Sequence, residues 1–187
     1  PQAQVSAERI NEVLERKAHI REGGVSESRE QGTVEFKNVS FRYPHASEDE
    51  LSNISFRVEK GETLAVIGAT GSGKTTLVSL IPRFYDATEG SVLVDGVNVK
   101  DYAFDALYDK LGYVTQKAVL FAGSIRENVF FGESEAPTDE EGLAQAIELS
   151  QAKEFVDKLP DGTQHHVAQM GRNMSGGQKQ RLSIARA

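Results

Sequence analysis

The spacing of apolar residues predicts strands in the first half of the chain. Two segments with a period of two, residues 33–41 and 54–58, lie close together in sequence, and the first contains one slip near Asn38. Short strands joined so closely favour a small antiparallel layer. Three further strands are predicted at residues 64–67, 91–95 and 111–115, the first from an apolar run and the last as a short buried strand.

Helical spacing marks the N-terminal end of the chain. Its apolar positions follow the i, i+3, i+4 and i+8 pattern of an amphipathic helix, at Ile10, Val13, Leu14 and Ala18. Gly23, Gly24 and the polar run at residues 26–31 are typical of a linker. Two interpretations stay open: a surface helix of this domain, or the tail of a helix that arrives from an upstream domain.

The second half of the chain predicts a helical insertion over about residues 117–185. Its short helices are expected at residues 125–129, 138–149 and 152–159, separated by Gly132, Pro137 and residues 160–162. Asp139 and Glu140 place negative charge at the start of the second helix, where the helix dipole favours it.

Composition narrows the function classes. The chain has 187 residues, a formal net charge of −7 and no cysteine. The charge argues against a general affinity for nucleic acid, and the missing cysteine excludes disulfides and thiolate metal sites. No apolar run approaches the roughly 18 residues of a membrane span. The chain opens at Pro1 without a methionine, and we expect it to be part of something longer.

A glycine-rich segment carries the clearest chemistry. GATGSGKTT stands between the predicted strand at residues 64–67 and an apolar helical segment at residues 77–81, the context that a phosphate-binding loop requires. Backbone N–H groups at a helix start favour an anion. Lys74 adds a positive charge for the β- and γ-phosphates, and the Thr75 hydroxyl is a ligand for Mg²⁺. The residues predicted to bind a triphosphate are Gly68, Ala69, Thr70, Gly71, Ser72, Gly73, Lys74, Thr75 and Thr76.

A second motif lies near the C-terminal end. Ser175, Gly176 and Gly177 predict a helix N-terminus whose bare backbone and hydroxyl allow an anion to approach. Leu182, Ala185 and Ile184 are expected to bury the helix that follows. Taken alone, the motif also fits an ordinary serine cap preceded by a flexible segment.

Together the two motifs resemble the nucleotide-binding domain of ABC transporters. GATGSGKTT is similar to the Walker A segment of that family, and MSGGQKQRLSIARA to its signature segment, with Met174 where leucine is usual. The resemblance covers residue 33 to the end and is closest to exporters with a fused membrane domain, because SAERI at residues 6–10 resembles their connecting helix. The fold implied is α/β: a P-loop NTPase (RecA-like) core, a small antiparallel β layer and an inserted helical subdomain.

The resemblance also implies roles for single residues. Tyr43 resembles the aromatic residue that stacks on adenine, and Gln116 the glutamine that touches Mg²⁺ and the attacking water. Four residues resemble the segment that contacts, in trans, the γ-phosphate of ATP held by a second copy: Ser175, Gly176, Gly177 and Gln178. This implies a head-to-tail pair of nucleotide-binding domains closed by two ATP molecules. Where many exporters carry glutamate in a cross-contacting loop, residues 167–171 read VAQMG.

Some expected parts of such a domain are missing. The resemblance implies an Mg²⁺-binding aspartate, a water-polarising glutamate and a histidine beyond Ala187, and we expect a truncated chain with an incomplete sheet and little or no turnover of its own. The leading hypothesis is the ATP-hydrolysing motor of a membrane exporter at the cytoplasmic face, with an unidentified substrate. The alternative is an ATP-dependent dimerisation switch with a weak or inactive site. An ABC-type ATPase acting on DNA or ribosomes is disfavoured by the acidic charge and the N-terminal helix. His165 and His166 are predicted to be polar loop residues, since adjacent histidines point different ways and no partner ligand is near in sequence.

Overall fold

The chain folds into two compact units. The computed structural model describes residues 2–16, 18–28, 30–132 and 140–187. Pro1–Lys110 form the first unit and Leu111–Ala187 the second, each with its own hydrophobic core. The predicted helix start at Thr138, with Pro137 and Asp139, lies outside the described residues.

The first unit is built on an antiparallel sheet. Its strands are β1 (Val34–Phe41), β2 (Leu51–Val58), β3 (Glu89–Val94) and β4 (Val97–Asn98), in the order β2-β1-β3-β4. This confirms the predicted antiparallel layer and the strand at residues 91–95. The predicted slip is also confirmed, because the β1–β2 register shifts between Phe36 and Val39, and Asn38 has a φ of 48°.

Apolar side chains from the sheet and two helices form the core of the first unit. The helices are α2 (Lys74–Ser79) and α3 (Phe104–Tyr108). The largest fully buried side chains of this unit are Phe36, Leu80, Tyr102 and Leu107. The Tyr102 hydroxyl donates a hydrogen bond to the Val94 carbonyl, 2.9 Å away, which satisfies its polar atom inside the core.

Two predicted strands do not form. Residues 64–67 and 111–115 have no strand pairing in the described chain. Leu64 is 50% exposed and Ile67 is 93% exposed. An apolar run predicts a strand only if neighbouring strands supply hydrogen-bond partners, and neither run has one among the described residues.

The N-terminal part combines an exposed helix with a docked segment. Helix α1 (Gln2–Leu14) leaves its apolar residues exposed, including Leu14 at 76%. The following segment, residues 22–28, is called the strap. Amides of Gly23, Gly24 and Val25 donate to carbonyls of residues 101 and 102, and the Ala103 amide donates back to Val25, each bond being 2.9 Å long. The strap is therefore held on the first unit by backbone hydrogen bonds.

Short helices dominate the second unit. Its elements are β5 (Gly123–Ser124), α4 (Ile125–Val129), α5 (Glu140–Leu149), α6 (Lys153–Val156), β6 (His166–Val167) and α7 (Gly176–Arg186). The bounds predicted for α4 are confirmed, whereas α6 ends at Val156, before the predicted residue 159, and the next residues form turns instead. The core side chains come from all four helices and include Leu120, Ile125, Leu143, Phe155 and Leu182. In the parts of the chain that the structure describes, no helix combines the length and apolar character that crossing a membrane requires.

Candidate nucleotide-binding site

The glycine-rich loop leads into α2 through a position that requires glycine. Gly73 caps the helix with a φ of 79° and a ψ of 5°, a left-handed conformation that side chains disfavour. A Cβ at this position would lie 2.8 Å from Cδ2 of Leu51 and 3.1 Å from the carbonyl oxygen of Glu50. The start of β2 therefore packs directly against the loop and fixes where α2 begins.

Lys74 lies across the loop. Its ammonium group donates to the carbonyl oxygens of Gly68 and Ala69, at 2.9 and 2.6 Å, and lies 3.4 Å from the Ser72 hydroxyl. Gly68 and Ser72 approach so closely that a Cβ on Gly68 would lie 2.5 Å from Oγ of Ser72. The loop thus closes around the positive charge.

Two threonines follow Lys74 in the first turn of α2 and face different surroundings. Thr75 is exposed, whereas Thr76 is buried. The hydroxyl groups of Thr76 and Tyr43 lie 2.9 Å apart. The structure therefore brings Tyr43, predicted to contact adenine, next to the glycine-rich loop.

The ring of Tyr43 is positioned by two aromatic neighbours that the sequence reasoning did not name. Phe41 meets it edge to face at 4.8 Å between centroids, and Tyr85 does so at 5.3 Å. Edge-to-face pairs of this kind are favourable and directional, so they hold the ring at a defined angle. The signal available in the sequence was the aromatic pair Phe84 and Tyr85 shortly after α2.

Gln116 lies in the second unit, at a bend after residues 111–115, with an exposed side chain. The Thr115 hydroxyl donates to the carbonyl of Lys117 at 2.7 Å, which tightens the chain around Gln116. The bend presents the amide side chain to solvent instead of burying it.

The signature segment also lies in the second unit and forms a capped helix start. The Ser175 hydroxyl accepts from the Gln178 amide at 3.2 Å, and the Gln178 side chain accepts from the Ser175 amide at 2.8 Å. This reciprocal capping box satisfies two donors of the first turn. Gly176 and Gly177 are exposed, and within the described chain nothing lies within 4 Å of a Cβ built on either. The bare helix start that the sequence predicts is therefore open to a ligand or a partner.

The helix behind this start is buried by fewer side chains than predicted. Leu182 is fully buried and Met174 nearly so, and Ala185 packs against the same core. Ile184 was expected to be buried and is 45% exposed, so that prediction is wrong. Ile184 is two positions from Leu182 on a helix, which turns its side chain toward another face.

The loop before the signature segment is held by backbone contacts. The Asn173 side chain accepts from the Ala168 amide and donates to the His166 carbonyl, at 2.9 and 2.8 Å. His166 belongs to β6, and the carbonyl of His165 accepts from the Ile125 amide. Both histidines therefore contribute backbone pairing at this point.

The residues of the first unit fit a magnesium nucleotide. A left-handed glycine cap, an ammonium group inside the loop and an exposed Thr75 hydroxyl are the donor set that a triphosphate with Mg²⁺ requires. Tyr43 lies beside the same loop, because its hydroxyl is hydrogen-bonded to the Thr76 hydroxyl.

Comparison with known proteins identifies the family. The family model described as ABC transporter matches residues 51–187. An uncharacterized ABC transporter ATP-binding protein of Bacillus subtilis is 45% identical over 185 residues, which is 99% of this chain and 32% of that protein. An ATP-dependent lipid A-core flippase of Xanthomonas oryzae is 45% identical over 182 residues, covering 97% of this chain and 31% of that protein.

A solved structure supports the same assignment. A bacterial Atm1-family ABC exporter with ATP bound superimposes with a TM-score of 0.84 at 30% identity, over 99% of this chain and 32% of that one. The chain spans about a third of the length of the curated relatives it matches. The predicted fold class, a P-loop NTPase of the ABC type, is confirmed. The chain therefore belongs to the ABC transporter family and carries its ATP-binding domain.

Proposed function

We propose that this chain is the motor domain of an ABC exporter, which binds and hydrolyses ATP to drive a substrate across a membrane. The observation that carries the proposal is the Lys74 ammonium held inside the glycine-rich loop, between the Gly68 and Ala69 carbonyls. A charge fixed there is aimed at the phosphates whose negative charge grows during transfer. Phosphoryl transfer depends mainly on such positioning and charge neutralisation.

Each predicted site residue has a role in this proposal. The loop amides and Lys74 bind the phosphates, and the Tyr43 ring stacks on the adenine. The Thr75 hydroxyl and the Gln116 side-chain oxygen are the groups that would hold Mg²⁺, which would supply further neutralisation of phosphate charge. Gln116 also orients the attacking water.

The signature segment acts on a second copy of the domain. Its capping box leaves Gly176 and Gly177 exposed at the start of an eleven-residue helix. An open helix N-terminus favours an anion, here the γ-phosphate of ATP on the partner domain. Two such domains, identical or related, thus pair head to tail around two ATP molecules.

The exporter assignment is supported by the relatives and the length of the match. Two relatives that match 99% and 97% of this chain are about three times as long, and one is named an ATP-dependent lipid A-core flippase. We propose that the intact protein carries a membrane domain and that α1 connects it to the nucleotide-binding domain. The nucleotide-binding domain then lies at the cytoplasmic face of the membrane. The exposed apolar side of α1 supports such a connection.

The test is ATP hydrolysis by the intact transporter in lipid. Lys74→Ala should abolish Mg²⁺-dependent phosphate release, because no other side chain of the loop replaces the ammonium group. Lys100→Ala is the matched control: Lys100 also donates to a backbone carbonyl, that of Ala87 at 3.1 Å, but lies outside the loop. Equal turnover in wild type and Lys74→Ala would refute the proposal.

Light scattering with and without ATP tests the alternative, a dimerisation switch. ATP-dependent pairing without phosphate release from the intact wild-type protein would favour the switch over the motor. Pairing together with phosphate release would favour the motor.

A further inference from the structure

Helix α7 connects two predicted site elements of the second unit. Its first turn is capped by Ser175, and its last residue is Arg186. Eleven helical residues at about 1.5 Å each make a rod of roughly 16 Å. What Arg186 holds therefore moves with the signature segment as long as the helix stays intact.

Arg186 holds the segment that follows Gln116. Its Nε donates to the Asn128 carbonyl at 2.7 Å, and its two terminal nitrogens donate to the Val119 carbonyl and to Oδ1 of Asn128, each at 3.1 Å. The guanidinium also lies 5.8 and 5.4 Å from the ring centroids of Phe121 and Phe131, which stack on each other at 4.1 Å. A planar fork with several donors suits this arrangement in a way that lysine does not.

The Asn128 side chain connects Arg186 to backbone groups of two further residues. It is 2% exposed, and its Oδ1 accepts from the Phe121 amide at 2.8 Å as well as from Arg186. Its amide nitrogen donates to the carbonyls of Phe121 and Ser124, at 2.9 and 3.0 Å. Every polar atom of the side chain is used, and such a buried amide is costly to remove.

Burial lowers the pKa of the Arg186 guanidinium. The group still stays protonated, as arginine does in proteins. The chain from Val119 to Phe121 is therefore fixed by a permanent cation and a saturated amide. Gln116 lies three residues ahead of this fixed stretch.

We propose that Arg186 and Asn128 form a latch that makes the signature helix and the Gln116 segment move as one body. The inference rests on the proposed function, in which Gln116 contacts the domain's own ATP and Ser175 contacts the partner's. The latch couples the two contacts, so that filling one site favours closure at the other. Arg186 and Asn128 are positioning residues, since neither touches the nucleotide.

A matched pair of arginines on one helix tests the latch. Arg186→Met keeps a long apolar side chain but removes all three hydrogen bonds. Arg181→Met is the control, because Arg181 also lies on α7, donates to a backbone carbonyl (Gln151, 3.0 Å) and covers a ring (Phe155, 5.2 Å). Arg181 therefore contacts α6 and the residue Gln151 just before it, not the segment that follows Gln116.

The readout is phosphate release by the intact transporter in lipid as ATP concentration is varied, with nucleotide affinity measured separately. Arg186→Met should lower kcat by about 5- to 50-fold and bring the Hill coefficient down towards one, as expected when coupling between sites is lost. Affinity for a single nucleotide should change by less than about twofold, since no ground-state contact is removed. Arg181→Met should keep the wild-type kcat and Hill coefficient, and Arg186→Lys should recover part of both.

The folded state is checked in the same proteins by amide exchange over residues 119–121 and 175–179. If Arg186→Met does not fold, Asn128→Asp replaces it, because the aspartate keeps the acceptor and loses both donated bonds. Equal losses in the Arg186 and Arg181 variants, or a latch variant with wild-type cooperativity, would overturn the latch alone. A wild-type protein without ATP hydrolysis would overturn the proposed function and the latch with it.

Discussion

The hydroxyl of Tyr43 lies 2.9 Å from the hydroxyl of Thr76. Tyr43 follows β1, and Thr76 stands in the first turn of α2, so one hydrogen bond joins the sheet to the glycine-rich loop. The distance between them along the chain is 33 residues. An aromatic ring predicted to stack on adenine is thereby anchored to the helix predicted to bind the phosphates.

Two substitutions distinguish the role of the Tyr43 hydroxyl from the role of its ring. Tyr43→Phe removes only the hydroxyl, and we expect a loss of about 0.5–1.5 kcal/mol in the free energy of unfolding, with ATP affinity nearly unchanged. Tyr43→Ala also removes the ring and should weaken ATP binding by about 1–3 kcal/mol. Calorimetric titration with Mg-ATP measures the affinity of both variants, and thermal unfolding measures their stability. Tyr108→Ala, which removes a tyrosine that contacts a phenylalanine but is not a predicted site residue, is the control, and equal affinity in it and Tyr43→Ala would contradict the stacking role.

Two glycines should respond oppositely to alanine. At Gly73 the left-handed backbone and the contact with Leu51 make alanine costly, by roughly 1–3 kcal/mol of unfolding free energy. At Gly177 the space is open and the residue is helical, so alanine should leave stability unchanged or raise it by up to about 1 kcal/mol.

Gly177→Ala should impair ATP-dependent pairing even though it does not lower stability. In the proposed head-to-tail pair, the added methyl would stand where the partner's phosphate approaches, so we expect a stable protein with little ATP-dependent pairing. Thermal unfolding and light scattering on the same samples distinguish the two effects. A Gly177→Ala variant that pairs normally would argue against the signature contact.

Ser175 caps α7 and, in the proposed function, also contacts phosphate, and two substitutions distinguish these roles. Ser175→Ala removes the acceptor for the Gln178 amide and should destabilise α7 by about 1 kcal/mol. Ser175→Asp keeps an equally good cap, so helix stability should be retained. Its carboxylate repels the γ-phosphate, and ATP-dependent pairing should be lost. Pairing that survives in the aspartate variant would mean that Ser175 serves only as a cap.

Acid should weaken the first unit through Asp95. Burial alone would raise the pKa of this carboxyl, but hydrogen bonds from the Lys110 ammonium and the Thr33 amide, both 3.0 Å long, outweigh it and lower the pKa. A carboxyl whose pKa is lowered in the folded state stabilises the protein at pH values above its pKa in the unfolded state, about 3.9. That stabilisation is lost as the pH falls through the pKa of the folded state.

Asp95→Asn should therefore lower the melting temperature at neutral pH and flatten its decline below about pH 4. Asp109→Asn, at an exposed carboxylate, serves as the control. Thermal unfolding as a function of pH measures both. Parallel declines in wild type and Asp95→Asn would show that another group controls acid unfolding.

The sequence predicts local features of this chain well where neighbouring residues determine them. The strands around Asn38, the bounds of α4 and the serine start of α7 follow from alternation and capping, which are properties of short segments. Apolar runs were less informative. Residues 64–67 predicted a strand, but a strand depends on partners elsewhere, and the structure leaves Ile67 exposed.

The candidate site shows the same division. GATGSGKTT predicted the loop and the place of Lys74, because a phosphate-binding loop is encoded in consecutive residues. The Tyr43–Thr76 pair and the hold of Arg186 on Val119 join residues 33 and 67 positions apart. No periodicity carries such pairings, and only the folded backbone shows them.

The docking of the strap decides where chimeric proteins are best joined. A side chain on Gly23 would overlap the Asp101 carbonyl, and four backbone hydrogen bonds bind the strap to residues 101–103. A foreign helix spliced in just before residue 22 inherits its exit direction from these bonds. A splice at residue 33 discards them, so the exchangeable module begins with the strap and not with the first strand.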